Sequence, residues 1–164
     1  TILWGSALSF GRFDQYLFGK EEALTADEKQ GYRRFKELGC ANCHVGKALG
    51  GQSFEKMGRT SDYFAARGGE VRKADLGRFN VTQEESDRHR FKTPILRNLV
   101  VTAPYFHDGE TTDLREAVEI MARHQILVPH APADVDLITG FLKTLTGEYK
   151  GQPLSGAAPA AGGV

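Results

Sequence analysis

The chain has 164 residues, enough for one domain with its own core, and its 21 basic and 21 acidic side chains leave a formal net charge of zero. This balance gives no reason to expect a nucleic acid or an anionic membrane as a partner. No apolar run approaches the roughly 18 residues of a membrane-spanning helix, so we expect no membrane span. The chain starts at Thr1 rather than Met, and we expect a processed chain or a piece of a longer one.

The first predicted elements are an N-terminal arm, residues 1–23, and the helix that follows it. The arm mixes aromatic and leucine side chains with glycines and should contain a short helix that packs on the body. Thr25-Ala-Asp-Glu28 has the form of a capping box and predicts a helix to about Leu38, ended by Gly39. Its buried face should carry three residues at i, i+4 and i+7 spacing, Gly31, Phe35 and Leu38.

The middle of the chain is predicted to be irregular. Residues 45–77 hold seven glycines and little apolar periodicity, which is unusual for a loop in a compact domain. We therefore expect this Gly-rich loop to wrap a large flat cofactor. Residues 78–98 are basic and should be irregular up to Pro94, after which Ile95 to Val101 form an apolar segment.

Two more helices are predicted in the last third of the chain. Asp113-Leu-Arg-Glu116 resembles a second capping box, and the helix it starts has four apolar residues on one face, Leu114, Ala117, Val118 and Met121. A last helix from about Asp134 to Leu145 carries Val135, Ile138, Phe141 and Leu142 at core spacing. Residues 151–164 should be a disordered tail. No strand-like alternation is visible, which favours an all-α fold.

The stretch Cys40-Ala-Asn-Cys43-His44 predicts a covalently attached c-type haem, with both sulfurs bonded to the porphyrin and His44 as an iron ligand. The alternatives are a zinc knuckle and a thioredoxin-like dithiol. Zinc would need about four ligands, but the chain has only two cysteines and no His-x-x-x-His. A redox dithiol is expected beside a βαβ pattern, which is absent. One haem c is therefore the predicted cofactor.

The second axial iron ligand is not decided by spacing. The candidates are Met57, Met121, His89, His107, His124 and His130. Met121 lies on a predicted helix, where an apolar methionine is more commonly core filler, and Met57 in the Gly-rich loop competes with it. Methionine ligation would raise the reduction potential of the haem, and histidine ligation would lower it.

A basic cluster offers partners for the haem propionates, namely Arg78, Arg88, Arg90, Lys92 and Arg97. Arginine suits carboxylates through paired hydrogen bonds, although a solvated basic surface would have the same composition. Arg97 is the preferred candidate because it follows Pro94 in an apolar setting, where an unpaired charge would be costly.

Four segments resemble the C-terminal haem domain of bacterial di-haem cytochrome c peroxidases, a family that includes the MauG proteins. They are GYRRFKELGCANCHVG (31–46), RFKTPILRNLVVTAPYFHDG (90–109), EAVEIMARHQ (116–125) and FLKTLTGEY (141–149). The resemblance implies an all-α, cytochrome c-like domain over residues 24–150. In it, the helix before Cys40 should cross the helix from Asp134, so that Gly31 and Phe35 meet Phe141 and Leu142. The resemblance places Met121 on the distal methionine of the family, where MauG-like members have tyrosine, and so implies a high-potential, electron-accepting haem.

The resemblance also implies a function and partners. Electrons would come from a small donor protein, a cytochrome c or a cupredoxin, and would pass to a peroxidatic haem in an N-terminal domain that this chain lacks. A free-standing monohaem electron carrier is the alternative, and a small-molecule sensor or MauG-like oxidase is a third. The family implies the periplasm and permits a homodimer. Main-chain carbonyls of Thr102 and Pro104 would help to hold an inter-domain calcium ion.

Overall fold

The computed structural model describes residues 11–149 and 152–154, so the start of the predicted arm and most of the predicted tail lie outside the described residues. The described helices are α1 (Arg12–Leu17), α2 (Ala26–Glu37), α3 (Tyr63–Arg67), α4 (Phe79–Thr82), α5 (Leu114–Gln125) and α6 (Pro132–Lys143). The described strands are β1 (Phe54–Lys56), β2 (Arg90–Lys92), β3 (Glu148–Tyr149) and β4 (Gln152–Pro153). No helix in these stretches is both long and apolar enough to cross a membrane.

Helices α2 and α6 pack closely against each other, as the sequence predicts. A Cβ atom on Gly31 would lie 2.0 Å from the carbonyl oxygen of Leu137, so only glycine permits this approach. The rings of Phe35 and Phe141 then meet with centroids 5.3 Å apart, and the side chain of Phe141 is fully buried. Phe13 of α1 adds an edge-on contact to Phe141 at 5.1 Å, so α1 packs on the same pair of helices.

The capping residues explain where the long helices begin and end. The Thr25 hydroxyl accepts from the Glu28 amide at 3.2 Å, and the Glu28 carboxylate accepts from the Thr25 amide at 2.8 Å, which confirms the first capping box. Gly39, with a φ of 85°, turns the chain out of α2 directly before Cys40. The last helix begins at Pro132 rather than Asp134, because proline is favoured in the first helical turn.

The second predicted capping box is only half formed. Asp113 accepts a hydrogen bond from the Glu116 amide at 2.8 Å, as expected of an N-cap. The Glu116 carboxylate, however, bonds to the Thr111 hydroxyl instead of returning to the Asp113 amide. Helix α5 therefore begins where the sequence predicts, with a different side-chain arrangement.

The structure is mostly helical but contains short strands, so the prediction of an all-α chain without strands needs correction. Strands β1 and β2 pair antiparallel, with Glu55 opposite Phe91. Strands β3 and β4 form a second pair, and β4 falls within the predicted tail. Elements of two or three residues are too short to produce a visible alternation of polar and apolar residues, so these strands could not be predicted from the sequence.

The buried apolar side chains form two separate clusters. The helical core consists of Phe13, Leu24, Phe35, Leu38, Leu96, Leu99, Val118, Ala122, Val135, Ile138, Phe141, Leu142 and Leu145. The loop core consists of Met57, Tyr63 and Phe64, with Phe91, Phe106, Ile120 and Met121 packed against it. Helix α5 contributes to both clusters, with Val118 and Ala122 in the helical core and Ile120 and Met121 packed against the loop core. It is the element that connects them.

Candidate haem site

The two cysteines occupy the turn directly after α2, where Cys40 begins a short 3-10 helix, Cys40–Asn42, and Cys43 caps its end. Burial raises the pKa of the Cys40 thiol to about 11. Burial also raises the pKa of the Cys43 thiol, with a further contribution from Glu55 and an opposing one from the nearby Arg59. Both sulfurs are therefore neutral thiols at neutral pH, unlike the thiolates of a reactive dithiol or a zinc site.

His44 has the protonation state and tautomer that an iron ligand needs. Its Nδ1 lies 3.2 Å from the carbonyl oxygen of Leu49, which can only accept, so Nδ1 carries the proton and Nε2 is the nitrogen with a lone pair for a metal. Burial lowers the pKa of His44, so the ring is neutral. The ring of Phe35 packs beside it at 6.4 Å and joins the histidine to the helical core.

The two candidate methionines lie in the same cluster but differ in what their sulfurs contact. Met57 is buried, and its sulfur accepts a hydrogen bond from the side-chain amide of Gln125 at 3.4 Å. Met121 is half-buried against the loop core, and no hydrogen bond from the described residues reaches its sulfur. Of the two thioethers, that of Met121 has its lone pairs free.

The four candidate histidines are held in other interactions. His124 is buried, with Nδ1 2.8 Å from the Ser61 hydroxyl. His89 donates from Nδ1 to the main-chain oxygen of Asp75 at 2.7 Å and stacks on Phe64. Nε2 of His107 lies 2.7 Å from the Asp75 carboxylate. Nδ1 of His130 lies 3.5 Å from the carbonyl oxygen of Val128.

Arg97, the predicted propionate partner, is bound to another carboxylate. Its two terminal nitrogens donate to the two oxygens of Asp14 at 2.7 and 2.6 Å, and Nε donates to the main-chain oxygen of Lys47. This pair ties α1 to the segment after β2. The other arginines of the basic cluster also have protein partners, with Arg78 on Asp87, Arg88 on Glu85 and Arg90 on the main-chain oxygen of Phe54. A propionate contact from Arg97 stays a prediction.

A buried ionic network beside the loop core was missed by the sequence reading. The side chain of Asp75 is fully buried and accepts from both terminal nitrogens of Arg67, at 3.0 and 2.8 Å, and from His107. Arg67 also donates to Asp108 at 2.8 Å. The Arg67 hydrogen bonds hold the pKa of the Asp75 carboxyl well below its usual range. Asp108 and His107 belong to a matched motif, but nothing local in the sequence marks Asp75.

The network has the residue types of a metal site but already contains a cation. Ligand atoms of Asp75, His107 and Asp108 all lie within 4.8 Å of one another. The Arg67 guanidinium donates to both carboxylates, however, and so supplies the positive charge that a metal would bring. The arrangement therefore behaves as a structural ion cluster.

The predicted calcium ligands lie on the segment that follows the apolar stretch. Thr102 and Pro104 are exposed, and the Ala103–Pro104 peptide bond is cis. Neither carbonyl oxygen accepts a hydrogen bond from residues 11–149 or 152–154. Both oxygens are thus available to a cation or to water, and calcium binding stays a prediction.

The residues present fit a covalently attached haem. The attachment turn offers two neutral thiols and a neutral imidazole, and the loop core offers a thioether without a hydrogen bond. In the same cluster the Tyr63 hydroxyl is buried and has no hydrogen-bond partner among the described residues. Since buried hydroxyls are normally paired, we expect a group beyond the described residues, such as water or a bound cofactor, to pair with this one.

Comparison with known proteins identifies relatives of the kind that the motif predicts. Cytochrome c peroxidase Ccp of Escherichia coli K12 is 49% identical over 137 residues, covering 84% of this chain and 29% of that protein. Cytochrome c551 peroxidase of Nitrosomonas europaea is 45% identical, covering 84% of this chain and 39% of that protein. The chain thus spans well under half the length of these relatives.

More distant matches agree with them, although no family model matches the chain. Methylamine utilization protein MauG of Methylorubrum extorquens is 32% identical over 108 residues, covering 65% of this chain and 28% of that protein. The crystal structure of a MauG-like protein associated with microbial copper homeostasis superposes with a TM-score of 0.67 at 28% identity, covering 84% of this chain and 48% of the other. The chain belongs to the di-haem cytochrome c peroxidase and MauG family.

Proposed function

We propose that this chain is the electron-accepting half of a di-haem cytochrome c peroxidase. It would hold one haem c through Cys40 and Cys43, with the side chains of His44 and Met121 as the iron ligands. When bound, the haem supplies reversible one-electron chemistry. The observation that carries the proposal is the free thioether of Met121, on the helix shared by the two cores, in a cluster where the sulfur of Met57 is already hydrogen-bonded.

A methionine-capped iron suits electron transfer and not peroxide reduction. Reduction of peroxide needs an open iron position and a nearby acid-base group that assists cleavage of the O–O bond. Met121 closes that position, so the peroxide chemistry belongs to a second haem in an N-terminal domain. The lengths of the relatives support this division, because the matched part covers only 29% and 39% of them.

The remaining assignments follow from this role. The donor is a small redox protein, a cytochrome c or a cupredoxin, and the assembled protein works in the periplasm, where attachment of haem c is completed. A homodimer would place two such halves together.

The open carbonyls of Thr102 and Pro104 would hold calcium only when the N-terminal domain supplies a further ligand. Arg97 reaches a propionate only if Asp14 shares its guanidinium.

The axial ligand is tested with two matched variants of the haem-loaded chain, Met121→Ala and Met57→Ala. We expect Met121→Ala to keep the covalent haem but to become high-spin, to lose reduction potential and to bind carbon monoxide rapidly in the reduced state. Met57→Ala should keep the low-spin spectrum. An unchanged low-spin spectrum in Met121→Ala would overturn the proposal.

The division of labour is tested by stopped-flow mixing of the haem-loaded chain with a reduced small cytochrome c and then with peroxide. We expect the chain to accept the electron but to turn over no peroxide, because its iron has no open position. Steady oxidation of the donor by peroxide with this chain alone would contradict the proposed role and favour a MauG-like or sensor-like open haem.

A further inference from the structure

The C-terminal end of α5 is held by the loop at residues 56–61, which we call the clamp segment. The amide of Thr60 donates to the carbonyl oxygen of His124 at 3.0 Å, and the Thr60 hydroxyl donates to the carbonyl oxygen of Arg123 at 3.1 Å. The Ser61 hydroxyl lies 2.8 Å from Nδ1 of His124. Carbonyls at a helix end otherwise lack partners, so the clamp segment stabilises the last turn of α5.

Gln125 makes the largest set of contacts to the clamp segment. Its amide nitrogen donates to the main-chain oxygen of Lys56 at 3.1 Å and to the sulfur of Met57 at 3.4 Å. Its amide oxygen accepts from the main-chain nitrogen of Arg59 at 3.4 Å. One side chain thus spans three successive parts of the loop.

The position of Gln125 relates these contacts to the iron ligand. Gln125 follows Met121 by four residues, so both side chains lie on the same face of α5. The sulfur that its amide engages belongs to Met57, the other methionine of the loop core. Gln125 therefore fixes the helix that carries Met121 and also occupies one lone pair of the competing Met57 sulfur.

We propose that Gln125 is a positioning residue that keeps Met121 on the haem iron by fastening the end of α5 to residues 56–61. The inference rests on the proposed function, in which Met121 is the axial ligand. Removing the amide loosens the last helical turn, and Met121 then leaves the iron more often. With these three hydrogen bonds lost, the fraction of molecules with an open iron should rise about tenfold.

The test uses the haem-loaded chain and the rate at which carbon monoxide binds to the reduced iron, because binding requires the methionine to leave. We expect Gln125→Ala to bind about tenfold faster than the wild type, with a weaker methionine-to-ferric-iron absorption band and a lower reduction potential. Gln125→Glu keeps the oxygen that accepts from Arg59 but loses the amide donor to Lys56 and Met57. Its rate of carbon monoxide binding should lie between those of the wild type and Gln125→Ala. Arg123→Ala is the control, since that exposed side chain contacts Glu119 and not the clamp segment.

The outcomes separate this inference from the proposed function. If Met121→Ala leaves the spectrum unchanged, Met121 is not the ligand and both fall. If Met121→Ala opens the iron but Gln125→Ala binds carbon monoxide no faster than Arg123→Ala, only the positioning role is wrong. Should Gln125→Ala fail to fold, Thr60→Val removes the hydroxyl donor to Arg123 and must change the rate in the same direction as Gln125→Glu. Wild-type rates in both variants would overturn the inference.

Discussion

The helical core and the loop core are built by different means. The helical core has thirteen buried apolar residues, supplied mainly by α2, α5 and α6 at regular spacing. The loop core has three, and polar contacts hold the segments that supply it, namely the Arg67–Asp75 network and the hydrogen bonds of the clamp segment. Apolar packing should therefore contribute most of the stability of the helical core. Individual polar groups should contribute most of the stability of the loop core.

The largest effect should come from emptying the helical core. Phe141→Ala removes a fully buried ring that touches Phe13, Tyr32 and Phe35, and should lower the free energy of unfolding by about 3–5 kcal/mol. Leu127→Ala, at a side chain that is 75% exposed, is the control. Denaturant unfolding of the haem-loaded protein measures the unfolding free energy of both variants. An equal loss in Phe141→Ala and Leu127→Ala would contradict a packed core at Phe141.

The next largest loss of stability should come from a single polar substitution beside the loop core. Asp75→Asn leaves the buried Arg67 guanidinium without its main charged partner and should cost about 3 kcal/mol of unfolding free energy. Glu85→Gln, which alters the exposed pair with Arg88, should change little by comparison. If the two variants unfold alike, the polar network does not support the loop core.

The contribution of the Asp75 carboxylate to the free energy of unfolding should fall gradually as the solution is acidified. Its pKa is lower in the folded than in the unfolded chain, where it is about 4, so its stabilisation is complete above about pH 4 and is lost as the pH falls towards the folded value. The difference in unfolding free energy between wild type and Asp75→Asn should shrink below about pH 4. A difference that stays constant throughout the acid range would mean that the charge of Asp75 contributes nothing.

The smallest effect should come from the end of α2 that is farther from the attachment turn. Thr25→Ala removes the hydroxyl that caps the helix and should cost about 1 kcal/mol, with the haem spectrum unchanged. Thr112→Ala, at an exposed threonine, is the matched control. It should change neither the free energy of unfolding nor the haem spectrum. A spectral change in Thr25→Ala would show that the cap and the site are coupled.

Several features were predictable because they depend on neighbours in the chain. The capping box at Thr25 and the helix end at Gly39 each involve residues within five positions of one another. The motif at Cys40–His44 is local in the same way, and its attachment to haem stays a prediction. The close approach of α2 and α6 at Gly31 was predictable as well, because helical periodicity marks the faces that must be buried. The strands β1 and β2 were missed because three residues are too few to show a period.

By itself the sequence determined the attachment turn, the main helices and the face of α5 that bears Met121. Only the tertiary structure decided which polar groups surround the loop core: Asp75 meets His107 across 32 positions, and Gln125 meets Met57 across 68. The reason is physical. Helix caps and periodicity are local properties of the backbone, whereas a buried polar group takes its partner from whatever distant segment the packing brings within hydrogen-bonding distance.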